Sequence, residues 1–121
     1  MLGLEEGRRA EHKWQDYSIH GHQLVCHFVG SEYRCPDFKN PVDGDEVPVP
    51  HFGIVLTVDG FHALANRLRS HKVQFIIEPH LRFVGKPGEQ WTMFFKEPSG
   101  NNLDIKAMTT PHNLFAKYNV V

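Results

Sequence analysis

The sequence predicts an α+β fold. Between Val49 and Met108 the apolar spacing runs with period two, then 3.6, then two again. Two turn signals, Gly85-Lys-Pro-Gly88 and Glu97-Pro-Ser-Gly-Asn101, divide the later part into three short strands. The order is therefore β-α-β-β-β, with one helix against a mostly antiparallel sheet. The chain is 121 residues long, near the size of one domain.

The elements follow in order. The first 16 residues are polar, with mixed charge and no clear period, although Leu2 and Leu4 resemble the end of an apolar element. Trp14, Tyr17 and Ile19 suggest a strand, a turn follows at His20-Gly21, and a second strand is predicted over 22–29. Cys26 alternates away from Val25 and reads as a buried strand thiol. Residues 30–48 contain Pro36, Pro41 and Asp43-Gly44 and read as a linker loop. The Asp43-Gly44-Asp45-Glu46 cluster lacks the ligand spacing of a calcium loop and reads as a solvated turn.

A strand is predicted from Val49 to Val58, with His51, Gly53, Val55 and Thr57 on one face. Asp59 is the expected cap of a helix reaching about His71, with Phe61, Leu64, Ala65 and Leu68 as its buried stripe. Strands are expected over Val73–Glu78, Trp91–Phe95 and Leu103–Met108, and a short helix over Pro111–Tyr118.

Composition narrows function by exclusion. Thirteen Lys+Arg against 14 Asp+Glu give no basic footprint for nucleic acid. No run approaches the ~18 apolar residues of a membrane span, and Glu5 and Glu6 interrupt any leader-like start. Two cysteines are a poor disulfide framework and fit a reducing, cytoplasmic compartment. No phosphate loop, Gly-x-Ser-x-Gly elbow, Cys-x-x-Cys or His-Glu-x-x-His occurs.

Nine histidines direct the search for chemistry. His51 opens the first strand of the second half and Asp104 lies in its last. An imidazole and a carboxylate facing one cavity suit a divalent ion, although on the two residue types alone an ordinary structural role is the stronger reading.

The motifs Pro50-His-Phe-Gly-Ile-Val-Leu56 and Phe94-Phe-Lys-Glu-Pro-Ser-Gly-Asn-Asn-Leu-Asp-Ile-Lys106, separated by a helix, resemble the vicinal oxygen chelate superfamily. That superfamily includes glyoxalase I, extradiol dioxygenases and bleomycin- and fosfomycin-resistance proteins. The resemblance covers residues 49–108. It implies βαβββ modules of the glyoxalase/dioxygenase type: a complete second module over 49–121, a linker over 30–48, and a first module of which only 1–29 is present. It also implies that His51 and Asp104 are metal ligands, with Asp104 standing where the family more often has Glu and reaching one methylene less.

Placing Gly21-His-Gln-Leu-Val25 over Gly100-Asn-Asn-Leu-Asp104 puts Val25, which cannot ligate, at the position of Asp104. His27 shares the strand face of Val25 and is the further ligand candidate; a partly solvated strand-end histidine is the other reading. His20 and His22 are expected to face water, His62 to lie outside the helical stripe, and His71 to suit the helix C-terminus. His80 and Arg82 either meet an anionic substrate or form a solvated rim, and Glu89 and Gln90 could line the mouth of the cup that paired modules form in the family it resembles.

The expected function is that of a glyoxalase/dioxygenase-like protein acting on a small molecule with vicinal oxygens. The cofactor would be a divalent metal, Fe2+, Mn2+, Ni2+ or Zn2+. The alternative is metal-free small-molecule binding of the resistance type, or an inactive short member. A homodimer is expected, because an incomplete first module leaves a strand edge unpaired. A chain extended upstream is expected to hold metal more tightly.

Overall fold

The computed structural model describes residues 1–118. The chain divides into two compact units, Met1–Arg34 and Cys35–Val121, so the division falls inside the segment expected to be a linker.

The first unit is a three-stranded antiparallel sheet of β1 (Glu5–Ala10), β2 (Trp14–Ile19) and β3 (His22–His27). β2 and β3 form the expected hairpin. Its two turn residues, His20 and Gly21, both have positive φ, the conformation that matches the twist of a two-residue hairpin. β1 was not expected. Its sequence, Glu-Glu-Gly-Arg-Arg-Ala, has no apolar alternation because five of its six positions are exposed. Cys26 is exposed, which corrects its reading as a buried thiol: on β3 only Leu24 is even half-buried. Neither cysteine forms a disulfide.

The second unit begins with a hairpin of β4 (Phe38–Val42) and β5 (Asp45–Val49), where a loop was expected. Asp43 and Gly44 make its tight turn, both at positive φ. The strands tolerate Pro41 and Pro48 because they pair only with each other, leaving the missing N–H groups on free edges. Then follow β6 (Phe52–Val55), α1 (Val58–Ser70), β7 (Phe75–Arg82), β8 (Gln90–Lys96), β9 (Asn102–Met108) and a 3-10 turn at Pro111–Asn113. The terminal helix expected to reach Tyr118 is limited to that one turn.

The four-stranded sheet has the order β6-β9-β8-β7, with β6 parallel to β9 and the other pairs antiparallel. The strand expected over 49–58 is split. Val49 ends β5, Pro50 supplies no N–H, and β6 stops at Val55 so that Thr57 can cap the helix. Thr57 Oγ1 accepts from the Gly60 N–H at 3.0 Å. Asp59, expected to be the cap, lies instead in the first turn, where its charge favours the positive helix end. His71 caps the C-terminus as expected, with its N–H on the Arg67 and Leu68 carbonyls.

Alternation along the strands gives the sheet two faces. Phe61, Ala65 and Leu68 of the helix are buried on one, where the Phe61 ring lies 6.1 Å from that of Trp91; Met93, Phe95, Leu103, Ile105 and Ala107 share this parity and are buried with them. His62 is exposed on the helix but stacks edge-on against Trp91 at 4.6 Å. The opposite face is polar: Gln90, Thr92 and Phe94 of β8, and Asn102, Asp104 and Lys106 of β9. The hairpin packs onto this face through Val47, which joins Ile77 and Phe94 in a buried cluster.

Candidate functional site

The polar face of the sheet gathers the residues named from the sequence. The register sets Gly53 beside Asp104 and Asp104 opposite Phe94; it also aligns His80, Thr92 and Lys106 in one row, and Arg82 with Gln90 in the next. Opposed residues of a ladder project to the same side, so His80, Arg82, Gln90 and Asp104 share it.

His51 follows the hairpin and precedes β6. Two main-chain contacts fix it. Asn102 Nδ2 donates to the Pro50 carbonyl at 2.9 Å, and His51 Nδ1 lies 2.8 Å from the Pro48 carbonyl. A carbonyl oxygen can only accept, so Nδ1 carries a proton, and in the neutral ring this leaves the lone pair on Nε2. That nitrogen lies 3.7 Å from Asp104 Oδ2. The edge of Phe94 against the imidazole, with centroids 5.1 Å apart, fixes the ring plane.

Asp104 is 6% exposed, and its Oδ1 is buried without a hydrogen-bond partner. Its Oδ2 is also approached by Lys106 Nζ at 3.5 Å, from two residues along the same strand. A close approach makes this placement possible: a Cβ on Gly53 would stand 1.5 Å from the Asp104 carbonyl oxygen, so only glycine lets β6 lie against β9 here. A depression of about 360 Å³ opens on these groups, lined by His51, Gly53, Asp104 and Lys106 and bounded by Leu114 and Phe115.

A second group lies under the hairpin. Asp45 Oδ2 is 3.1 Å from His80 Nε2 and 3.9 Å from Arg82 Nη1. Arg82 is 5% exposed, so the solvated-rim reading does not apply to it. Its Nη2 donates to Thr92 Oγ1 at 3.3 Å, its guanidinium lies 5.9 Å from the Phe94 ring, and its Nε and Nη1 are buried without hydrogen-bond partners. Gln90 is also buried, donating to the Gly88 carbonyl and leaving Oε1 unpartnered. Asp45, expected in a solvated turn, thus turns inward, and Asp43 Oδ2 accepts from the Phe83 N–H at 2.8 Å, tying the hairpin turn to the β7–β8 loop. Glu89 accepts from the Gly85 N–H at 2.9 Å and so closes that loop. This bond, more than the contact with Thr109, holds its carboxyl below the ordinary value of 4.5.

Sequence reasoning missed Lys106, Phe94 and Asp45. For Lys106 and Phe94 a signal existed: Lys106 lies two residues from Asp104 and alternation puts both on one face, while Phe94 stands within the quoted aromatic strand. His27 ends β3 in the first unit, exposed, across from Trp14. His20 and His22 are exposed as expected.

The donor set fits a metal in part. Ligands of a tetrahedral zinc ion stand about 3.3–3.4 Å apart for bonds of ~2.0–2.1 Å. His51 Nε2 and Asp104 Oδ2 need only a small closure from 3.7 Å to meet that spacing. The Nδ1–carbonyl hydrogen bond is the outer support that metal-binding imidazoles use. Among the described residues, no group of three or more His, Cys, Asp or Glu side chains converges as a metal site. Nor is any described helix long and apolar enough to cross a membrane.

No family model and no curated protein matches the chain. Solved structures do. A glyoxalase/bleomycin resistance protein/dioxygenase from Alicyclobacillus acidocaldarius superposes with a TM-score of 0.73 at 25% identity, over 93% of this chain and 79% of that one. A lactoylglutathione lyase from Agrobacterium tumefaciens gives 0.60 at 16% identity, over 95% and 80%. A genomically encoded fosfomycin resistance protein from Listeria monocytogenes gives 0.61 at 14% identity, over 93% and 79%. The first of these likenesses, together with the βαβββ order of the second unit, shows that the chain has the glyoxalase/bleomycin resistance protein/dioxygenase fold, the fold of the vicinal oxygen chelate superfamily.

Proposed function

We propose that this chain acts on a small molecule with two adjacent oxygen atoms, using a divalent ion (Fe2+, Mn2+, Ni2+ or Zn2+) held by His51 and Asp104. The observation that carries this reading is the imidazole anchored through Nδ1 to the Pro48 carbonyl, whose Nε2 lies 3.7 Å from a buried carboxylate oxygen. A bound ion would supply Lewis acidity to the substrate oxygens. The chain's own residues orient the imidazole, keep the carboxylate largely out of bulk water and present the polar face around them. Arg82 and Gln90, with unpartnered buried polar atoms, and His80 beside them are the groups we assign to substrate binding. His27 is the further donor to test. A solved relative named as a lactoylglutathione lyase and another named as a fosfomycin resistance protein support small-molecule chemistry in this fold.

A metal-free binding role is the second reading, and one contact favours it: Lys106 already places a positive charge 3.5 Å from Asp104 Oδ2. Calorimetric titration with divalent ions separates the two. One ion per chain is expected, bound weakly because two protein ligands leave much of the shell to water. His51→Ala and Asp104→Asn should each lower the affinity by at least ~10-fold. Equal affinity in parent and both variants would overturn the metal reading and leave the binding one.

A further inference from the structure

We propose that Lys106 makes metal and ligand bind interdependently at this site, so that the ion is held well only together with an anionic ligand carrying two adjacent oxygens. This rests on the reading of His51 and Asp104 as metal ligands. One carboxylate oxygen, Asp104 Oδ2, is claimed from two sides: His51 Nε2 at 3.7 Å and Lys106 Nζ at 3.5 Å. An ion bound there must share or displace the ammonium, and like charges this near repel. The main chain of Lys106 is fixed in the sheet between Thr92 and Val55, and its side chain is 28% exposed.

The charge balance then points to the ligand. Asp104 is the only anion in the His51–Asp104–Lys106 group. Its charge is already matched by Lys106, and a divalent ion adds two positive charges with nothing to offset them. A ligand with a carboxylate beside a second oxygen supplies that negative charge and two further donor atoms. It also gives the displaced ammonium a new partner. An uncharged diol or diketone offers the donors without the charge. The chemical class is therefore a small α-oxygenated carboxylate, for which oxalate is a simple probe.

Equilibrium dialysis with Mn2+, with and without oxalate, tests the coupling by the metal retained on the protein. The association of Mn2+ with oxalate is measured separately and subtracted. In the parent, oxalate should raise the Mn2+ affinity at least ~10-fold, and by linkage Mn2+ should raise that for oxalate equally. Lys106→Met keeps the length of the stem and removes the charge. It should bind Mn2+ alone at least ~10-fold more tightly than the parent and lose most of the oxalate enhancement, while Lys106→Arg should behave as the parent does. Circular dichroism of each variant establishes that the fold is kept. An unchanged Mn2+ affinity in Lys106→Met, or the same oxalate enhancement in both, overturns the coupling. If His51→Ala and Asp104→Asn still weaken Mn2+ binding in that case, the metal reading stands without it. If neither the parent nor Lys106→Met holds Mn2+ with or without oxalate, both readings fall.

Discussion

Replacing Gly53 by alanine should unfasten β6 and, with it, the candidate site. The added Cβ would stand 1.5 Å from the Asp104 carbonyl oxygen, where side-chain carbons essentially never come closer than 3.0 Å. The obstacle is main chain in the middle of a sheet, so no side-chain rotation relieves it. β6 must withdraw from β9 by about 1.5 Å or more, enough to break N–H···O bonds near 2.9 Å. Four residue pairs join the two strands, and the Leu56 N–H adds a bond of 2.8 Å to the Lys106 carbonyl. Losing two or three such bonds, each worth about 0.5–1.5 kcal/mol net, costs about 2–3 kcal/mol. That agrees with the range of 1–3 kcal/mol typical of overpacking. For a domain of this size, about 4–8 °C per kcal/mol converts this to a loss of about 10–20 °C in Tm. Thermal unfolding followed by circular dichroism reads it directly. Gly85→Ala is the control: its φ is positive but nothing lies within 4 Å, so only backbone strain of about 1 kcal/mol is expected. A Gly53→Ala protein melting within 2 °C of the parent would refute the close-approach argument.

Two further outcomes are expected. Because the Glu89 carboxyl is held below its ordinary value, its bond to the 85–89 loop contributes stability above the unfolded pKa that disappears as pH falls through the folded one. Melting profiles between about pH 6 and 3 should therefore converge for parent and Glu89→Gln at the acid end, and parallel profiles would contradict it. Exposed Phe52 and Val55 on β6, an edge strand of its sheet, together with exposed Val25, Phe28 and Val29 in the first unit, support a homodimer in solution. Light scattering showing only monomer at micromolar concentration would count against it.

What the sequence revealed depended on which surfaces the core touches. From β6 to β9 the helix and strands each bury one face, so Phe61, Ala65 and Leu68, and Met93, Phe95, Leu103 and Ile105, recur at the spacing of their elements and could be read directly. β1 offers no such contrast, since nearly all of it faces water, and for the same reason alternation gave the wrong side for Cys26. The β4–β5 hairpin was hidden differently. Asp43-Gly44 is a strong hairpin signal, but Pro41 and Pro48 in the flanking runs argue against strands unless the pair stands apart from the main sheet. His51 and Asp104 were legible because motifs marked them. The meeting of Asp45 with His80 was not, because it arises from the hairpin folding back across the sheet and leaves no period in the sequence.

The hydrogen bond from His51 to the Pro48 carbonyl has an evolutionary reach. The location of one proton on the imidazole is decided by the main chain of a hairpin strand, at Pro48, outside the His51–Asp104–Lys106 group. Substitutions in that hairpin, at Val42 or Val47 for instance, can shift the carbonyl and release the ring to its other tautomer, which turns Nε2 from a lone pair into an N–H. The donor chemistry of the site can thus be retuned or silenced by drift in a segment of undistinguished sequence, while both of its marked residues stay in place.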